Sequence, residues 1–416
     1  MDKREFLQGA GACSLAAILG ESAWARWSGL EPAALARASD FWTELRGRYR
    51  LRTDFVNLEN GYYSMMAQPV LEALVERIRE VNFEGSHYMR TRAADERMAA
   101  RAALARLARC PIEELAITRN TTESLDMVIS GHDWKAGDEA VMAEQDYGTM
   151  LEMFEQVSRR HGVRCKRVSV PLDPRSDDEL VELYAAAITP RTHLLLVSHV
   201  INITGQVLPI RKLCDMAHAR GVAVLVDGAH AFAQLDFALP DLDCDYYGAS
   251  LHKWLGCPLG AGLLHVRRER IPGLWPLLAP PPKAPDDIAR LAHSGTYPAH
   301  IDLALRDAIA FHESIGIERK SARLSHLQRY WTEQVRGRPR IRINTPSDPA
   351  RCCAIANVGI DGLAPAELAR RLLDEHRIYT VAIDVANVQG VRVTPHLYTT
   401  EGELDQLVAA LLALSS

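Results

Sequence analysis

Between residues 112 and 267, short runs rich in apolar residues alternate with longer stretches whose apolar positions recur every three or four residues. The short runs at 114–118, 139–143, 164–170, 193–198, 222–227 and 262–266 read as strands; 151–161, 177–188 and 210–220 read as the helices between them. That alternation predicts a mainly parallel sheet with helices on both faces. Proline enrichment at 272–285, including Ala279-Pro280-Pro281-Pro282, interrupts it and predicts an irregular connection near a domain boundary. Beyond it, helical runs at 301–315 and 319–335 precede a strand, helix, strand, helix order at 354–358, 364–376, 391–394 and 401–414. This predicts a second, smaller α+β domain. The alanine-rich stretch 93–108 reads as ordinary helix.

Composition agrees with this plan. A chain of 416 residues, 48% hydrophobic and 24% charged, can bury a large core and divide into a big domain and a small one. The expected division is 61–297 for the large domain and 298–416 for the small one, with 29–60 packing on the small domain and 1–28 as a separate arm or signal. A net charge of -5 without a basic tract gives no pointer to nucleic acid as a partner and favours small molecules.

The eight cysteines, at 13, 110, 165, 214, 244, 257, 352 and 353, show no Cys-x-x-Cys spacing, so no metal site is expected. Cys352 and Cys353 are adjacent, face opposite ways on a strand and read as core residues. At the N-terminus, Lys3-Arg4-Glu5-Phe6-Leu7, a weakly apolar stretch at 9–19 and Ala23-Trp24-Ala25 resemble a twin-arginine export signal with Lys3 replacing the first arginine. The expected location is cytoplasmic, or periplasmic if that signal works. No membrane span is expected, because the rest lacks the ~20 consecutive apolar residues one requires.

Candidate chemistry concentrates at the ends of the strand runs. Asp227 closes Val224-Leu225-Val226 at the position where open α/β sheets bind ligands, although an Asp-Gly after a strand is also an ordinary turn. Lys253 follows in Ser250-Leu251-His252-Lys253-Trp254, ringed by hydroxyl, imidazole and the glycines Gly248, Gly256, Gly260 and Gly262. A lysine so placed can form a Schiff base with an aldehyde, and the aspartate can hold a protonated pyridine nitrogen; together they point to pyridoxal phosphate. Asn120-Thr121-Thr122-Glu123 opens an apolar helix after a strand. It reads equally as a capping box and as a phosphate cup at a helix N-terminus.

These motifs, with Val200-Ile201-Asn202-Ile203-Thr204-Gly205 and Ser294-Gly295-Thr296, occur in an order and spacing that resemble the class V aminotransferases, over residues 55–400. The resemblance implies the α/β architecture of fold-type I pyridoxal-phosphate enzymes: a large domain with a mainly parallel sheet flanked by helices, and a smaller C-terminal α+β domain. It makes Lys253 the Schiff-base lysine, Asp227 the partner of the pyridine nitrogen and Tyr147 the aromatic residue on the cofactor ring. Asn202 and His230 are placed near the phenolic oxygen. Thr122, Ser250 and His252 form the phosphate cup, with Thr121 a weaker member. Thr296 reaches the phosphate of a neighbouring protomer, which implies a homodimer with shared active sites. Arg392, in Gly390-Val391-Arg392-Val393-Thr394, grips the substrate α-carboxylate, a bidentate task that suits arginine.

Within that group, Asn57-Leu58-Glu59-Asn60-Gly61-Tyr62-Tyr63-Ser64, the Gln145-Asp146-Tyr147-Gly148 loop and the Asp227-Gly228-Ala229-His230 run look most like the isopenicillin N epimerase-like branch. Asn60 and Tyr62 are then expected on the substrate side of the cofactor. Desulfurases need a nucleophilic cysteine shortly before the carboxylate arginine, and residues 380–390 contain none. An epimerase needs a second acid besides Lys253; Tyr62, Tyr63 and His87 are the candidates. Aminotransferase is the alternative reaction, then a carbon–sulfur or side-chain lyase. A non-catalytic binding relative is disfavoured by retention of Lys253, Asp227 and Arg392.

Overall fold

The computed structural model describes residue 20 and residues 24–416. The Lys3-Arg4 motif and the start of the Ala23-Trp24-Ala25 motif lie outside the described residues. The strands are β1 (Val56–Asn57), β2 (Leu115–Thr118), β3 (Glu139–Ala143), β4 (Arg164–Val168), β5 (Thr192–Ser198), β6 (Ala223–Asp227), β7 (Tyr246–Ser250), β8 (Gly262–Val266), β9 (Ile341–Ile343), β10 (Ala356–Ile360), β11 (Ile378–Tyr379), β12 (Val381–Val385) and β13 (Val388–Val393). Seven of them form the main sheet in the order β2-β8-β7-β6-β5-β3-β4. All neighbours run parallel except that β8 is antiparallel to both β2 and β7.

Alternate residues of the central strands enter two separate cores. Leu195, Val197, Val224 and Val226 face one; Leu194, Leu196, Ala223 and Leu225 face the other. Burial on both faces explains why these strands read as near-continuous apolar runs. The helices α1 (Gln68–Glu84), α2 (Ala93–Ala108), α3 (Thr121–Gly131), α4 (Gly148–His161), α5 (Asp177–Ala187) and α6 (Ile210–His218) surround the sheet; α7 (Ala299–Ile315) packs on α1 and α2 and adds Ile301, Leu305 and Ile309 to the first core, and α8 (Ile317–Val335) continues into the C-terminal unit.

The C-terminal unit is an antiparallel sheet, β12-β13-β10-β9, whose apolar residues join those of α8, α9 (Pro365–His376) and α10 (Glu401–Ser415) in a third core. The N-terminal segment touches both units: Trp27, Leu35, Phe41, Trp42 and Leu45 enter the first core, whereas β1 pairs in parallel with β11, Val56 opposite Ile378, and Leu58 enters the third. Strands β1, β7, β9, β11 and β12 were not expected. β7 contains Tyr246-Tyr247-Gly248-Ala249-Ser250, whose glycine and serine suggest a turn, yet it lies in the middle of the main sheet. Its glycine suits the close packing there, since a Cβ on Gly248 would press on Ser124 and Leu125 of α3.

Candidate active site

Strand direction gathers the site. β3, β5, β6 and β7 are mutually parallel, and β2 shares their direction through antiparallel β8. Ser198, Asp227 and Ser250 therefore end their strands on one edge, where Thr118 leads into α3. Register tightens this: Ser198 lies opposite Asp227, and Thr118 and Ser250 both lie opposite Gly262.

Lys253 sits in the turn after β7 and keeps part of its surface open. Its Nζ lies 3.0 Å from His230 Nε2, and the Trp254 indole N–H donates to His230 Nδ1 at 3.3 Å. An indole nitrogen only donates, so Nδ1 must carry the lone pair and a neutral His230 holds its proton on Nε2. That proton points at Lys253 Nζ, which can accept it only as the neutral amine. Burial agrees, pushing Lys253 down to about 8; Asp227 and Glu59 oppose the shift and Arg392 adds to it. His230 is held well below the usual imidazole range by burial and by Lys253.

Asp227 is buried, with Oδ1 accepting the Ala229 N–H at 2.9 Å. Burial raises its carboxyl above the usual range, against the attraction of Lys253. An anion so desolvated favours a cationic partner. Beside it, Asp146 accepts Ser198 Oγ–H and Ala143 N–H, both at 2.7 Å, and burial raises it to about 7. Asp146 thereby anchors the loop carrying Tyr147. Tyr147 itself is 44% exposed at the start of α4.

The α3 N-terminus closes the other side. The Thr121 N–H donates to Ser250 Oγ at 2.8 Å and Thr121 Oγ1 lies 2.7 Å from the same oxygen. Asn120 caps the helix through the Glu123 N–H at 2.9 Å, but Glu123 reaches back to the Arg119 N–H at 2.5 Å instead of completing the box. Thr122 stands half-buried on the first turn. His252 has a buried Nδ1 without a hydrogen-bond partner, and burial with Lys253 lowers its imidazole to about 4.

Hydroxyls, a free imidazole nitrogen and a helix N-terminus form an anion cup beside the amine of Lys253 and the carboxylate of Asp227. This donor set fits pyridoxal phosphate, and Lys253, Asp227, Ser250 and His252 would hold it. The described residues contain no cluster of metal-binding side chains.

Arg392, Asn60, Tyr62 and Thr296 make no hydrogen bond to Lys253, Asp227 or the anion cup, although Arg392 acts on Lys253 and His230 through its charge. Arg392, on β13, is buried and forms a two-point ion pair with Glu59: Nη2 donates to Oε1, Nε donates to Oε2 at 3.2 Å, and Nη1 donates to the Asn202 carbonyl at 3.2 Å. Asn60 is 0% exposed; its Nδ2 donates to the Thr394 carbonyl at 2.8 Å and its Oδ1 accepts from Tyr398 at 2.8 Å, which ties its loop to the end of β13. Tyr62 is 74% exposed. Thr296 is exposed and shares a cleft with Arg119, Glu123 and Gly260 without bonding to the cup.

Trp254, Asp146 and Glu59 were not assigned roles from sequence. An indole donor next to the lysine was a usable signal for Trp254. Glu59 carried none, because its partner lies more than three hundred positions away.

Fold and site together define a fold-type I enzyme of the pyridoxal-phosphate class. The chain belongs to the aminotransferase class-V family, whose model matches residues 57–407. It is 32% identical over 391 residues to the isopenicillin N epimerase of Streptomyces clavuligerus, covering 90% of this chain and 98% of the relative. A probable cysteine desulfurase of Halobacterium salinarum is 28% identical, covering 86% of this chain and 91% of the relative. Among solved structures, the apo cysteine desulfurase of Thermococcus onnurineus NA1 superposes with a TM-score of 0.78 at 21% identity, covering 89% of this chain and 97% of that one.

Proposed function

We propose that the chain is a pyridoxal-phosphate-dependent epimerase acting at the α-carbon of an amino acid or a compound derived from one. The observation that carries the reading is the Trp254–His230–Lys253 relay, which places beside a buried carboxylate an amine whose proton burial makes easier to release. When bound, the cofactor supplies an aldehyde and a ring that withdraws electrons from the α-carbon. The protein's part is to place Lys253 Nζ as the base that takes the α-proton, with His230 Nε2–H directed at that nitrogen. Asp227, buried at the end of β6, would hold the ring nitrogen in its protonated form. Tyr63 is the favoured second acid. Its ring lies 6.4 Å from that of His252, whereas His87 is exposed beside Glu84.

The cysteines disfavour desulfuration. Cys353 and Cys257 are buried, and burial pushes the half-buried Cys352 up to about 11, so none is poised as a thiolate. The turn between β12 and β13 contains Ala386 and Asn387 and no cysteine. We also propose a homodimer, since Phe83, Tyr62 and Trp275 leave large apolar surfaces that a second copy would cover. No helix of the described residues is long and apolar enough to cross a membrane.

The test is incubation of an L-amino-acid panel in deuterated water with and without a keto-acid acceptor. α-Deuteration with loss of chirality and no need for acceptor is the expected result. Acceptor-dependent keto-acid formation would instead establish an aminotransferase, and released sulfide or alanine a lyase.

A further inference from the structure

Arg392 holds a carboxylate already, and that carboxylate belongs to the protein. Glu59 approaches the guanidinium by its Nε and Nη2 edge, and Oε1 also accepts the Tyr62 N–H at 3.0 Å. Its carboxylate thus accepts three hydrogen bonds. Its backbone is fixed as well: residue 59 forms a parallel bridge with Thr394, and the neighbouring Asn60 and Gly61 N–H groups donate to Thr394 Oγ1 at 2.7 and 3.0 Å. Both charged side chains are buried. Among the described residues Asn202 is the other acceptor on Arg392, through its carbonyl, so two of the five guanidinium N–H groups remain free.

We propose that Glu59 is a specificity-determining residue that compensates the charge of Arg392, so that the site accepts amino compounds with an uncharged α-carbonyl group, such as an amide, nearly as well as free amino acids. The inference rests on the reading of this site as one that acts on amino compounds. A substrate carbonyl on the free edge of the guanidinium meets hydrogen-bond donors whether or not it is charged. A substrate carboxylate placed there also meets the repulsion of Glu59 across the same guanidinium. At the effective dielectric of a partly buried pair, that repulsion weakens carboxylate binding on the order of 100-fold relative to an uncompensated arginine.

The experiment compares propionate with propionamide, and L-alanine with L-alaninamide, as ligands of the intact protein by ligand-observed NMR titration. Wild type should bind the members of each pair within about tenfold of one another. Glu59→Gln should strengthen carboxylate binding on the order of 100-fold and leave the amides nearly unchanged, whereas Glu59→Asp, which keeps the charge, should retain the wild-type ratio. Wild type favouring propionate by 100-fold or more would overturn the proposal without any variant, on the same affinity scale. An unchanged carboxylate-to-amide ratio in a Glu59→Gln protein with wild-type thermal stability would overturn it too. Propionate and propionamide lack the amine, so their ratio is independent of the reaction. A shifted ratio without α-hydrogen exchange on any amino acid would remove the proposed function and leave the role of Glu59 standing.

Discussion

Replacing Lys320 by methionine should make the protein more stable at neutral pH and less stable in alkali. Lys320, on α8, is 3% exposed; its Nζ donates to the Trp254 carbonyl and lies 3.5 Å from His312 Nδ1. Burial pushes the amine from 10.5 down to about 7, with no carboxylate opposing it. His312 and His396 beside it are held neutral by burial and by Lys320 itself. Because the folded amine is depressed, the unfolded chain binds more protons between those two values, and stability rises with pH across that window. The penalty is full below about 7 and gone above 10.5. At neutral pH it amounts to roughly 4 kcal/mol. Methionine removes it at similar volume, but leaves the Trp254 carbonyl without its donor, a loss of about 1–3 kcal/mol.

The net expectation is a gain of about 2 kcal/mol at pH 7 that falls through zero and becomes a loss of similar size near pH 10.5. Urea unfolding of both proteins, followed by tryptophan fluorescence at several pH values in that range, measures the difference directly. A stability difference that stays constant with pH would refute the reasoning, as would a less stable variant at pH 7.

Lys253→Ala should abolish the cofactor's borohydride-sensitive visible absorbance and lower turnover by about 10²–10⁴-fold or more, read by absorbance and by α-hydrogen exchange. Trp254→Phe frees His230 Nδ1, so the imidazole can take the other tautomer and accept from a protonated Lys253; the pH midpoint of pyridoxal-phosphate capture should rise by about one unit or more from the wild-type value. Gly205→Ala combines φ of +77° with a Cβ that would overlap the Ile355 carbonyl, and should cost more than about 3 kcal/mol in urea unfolding. Ala102→Gly is the opposite kind of change: the residue is exposed on α2 with ordinary helical backbone, and the substitution should cost only about 1 kcal/mol in the same measurement.

The strands buried on both faces were legible because β3, β5 and β6 are apolar runs between helices of clear periodicity. β7 was not, since its two tyrosines, glycine and serine owe their strand conformation to pairing with β6 and β8. Local propensity loses there to the neighbours on either side. β12 was hidden for a related reason: as an edge strand of the small sheet it is half-buried or exposed throughout and carries no continuous apolar run.

The site divides along the same line. Asp227 ends β6, whose direction follows from the alternation of elements; Ser250 ends β7 and Lys253 follows it, and they meet Asp227 because β7 runs parallel to β6. The Arg392–Glu59 pair obeys no such rule. It forms because β1 leaves its own end of the chain to pair with β11, which carries Glu59 alongside Thr394 and turns its carboxylate onto the guanidinium. Reading Arg392 from its own surroundings therefore yields a free cation, and folding yields a neutral pair. The residues proposed to hold the cofactor are placed by sheet topology, whereas the charge proposed to face the substrate is decided by a contact between residues 59 and 392. Selectivity in this enzyme should accordingly respond more strongly to changes at 59 than to changes in the loops that follow the strands.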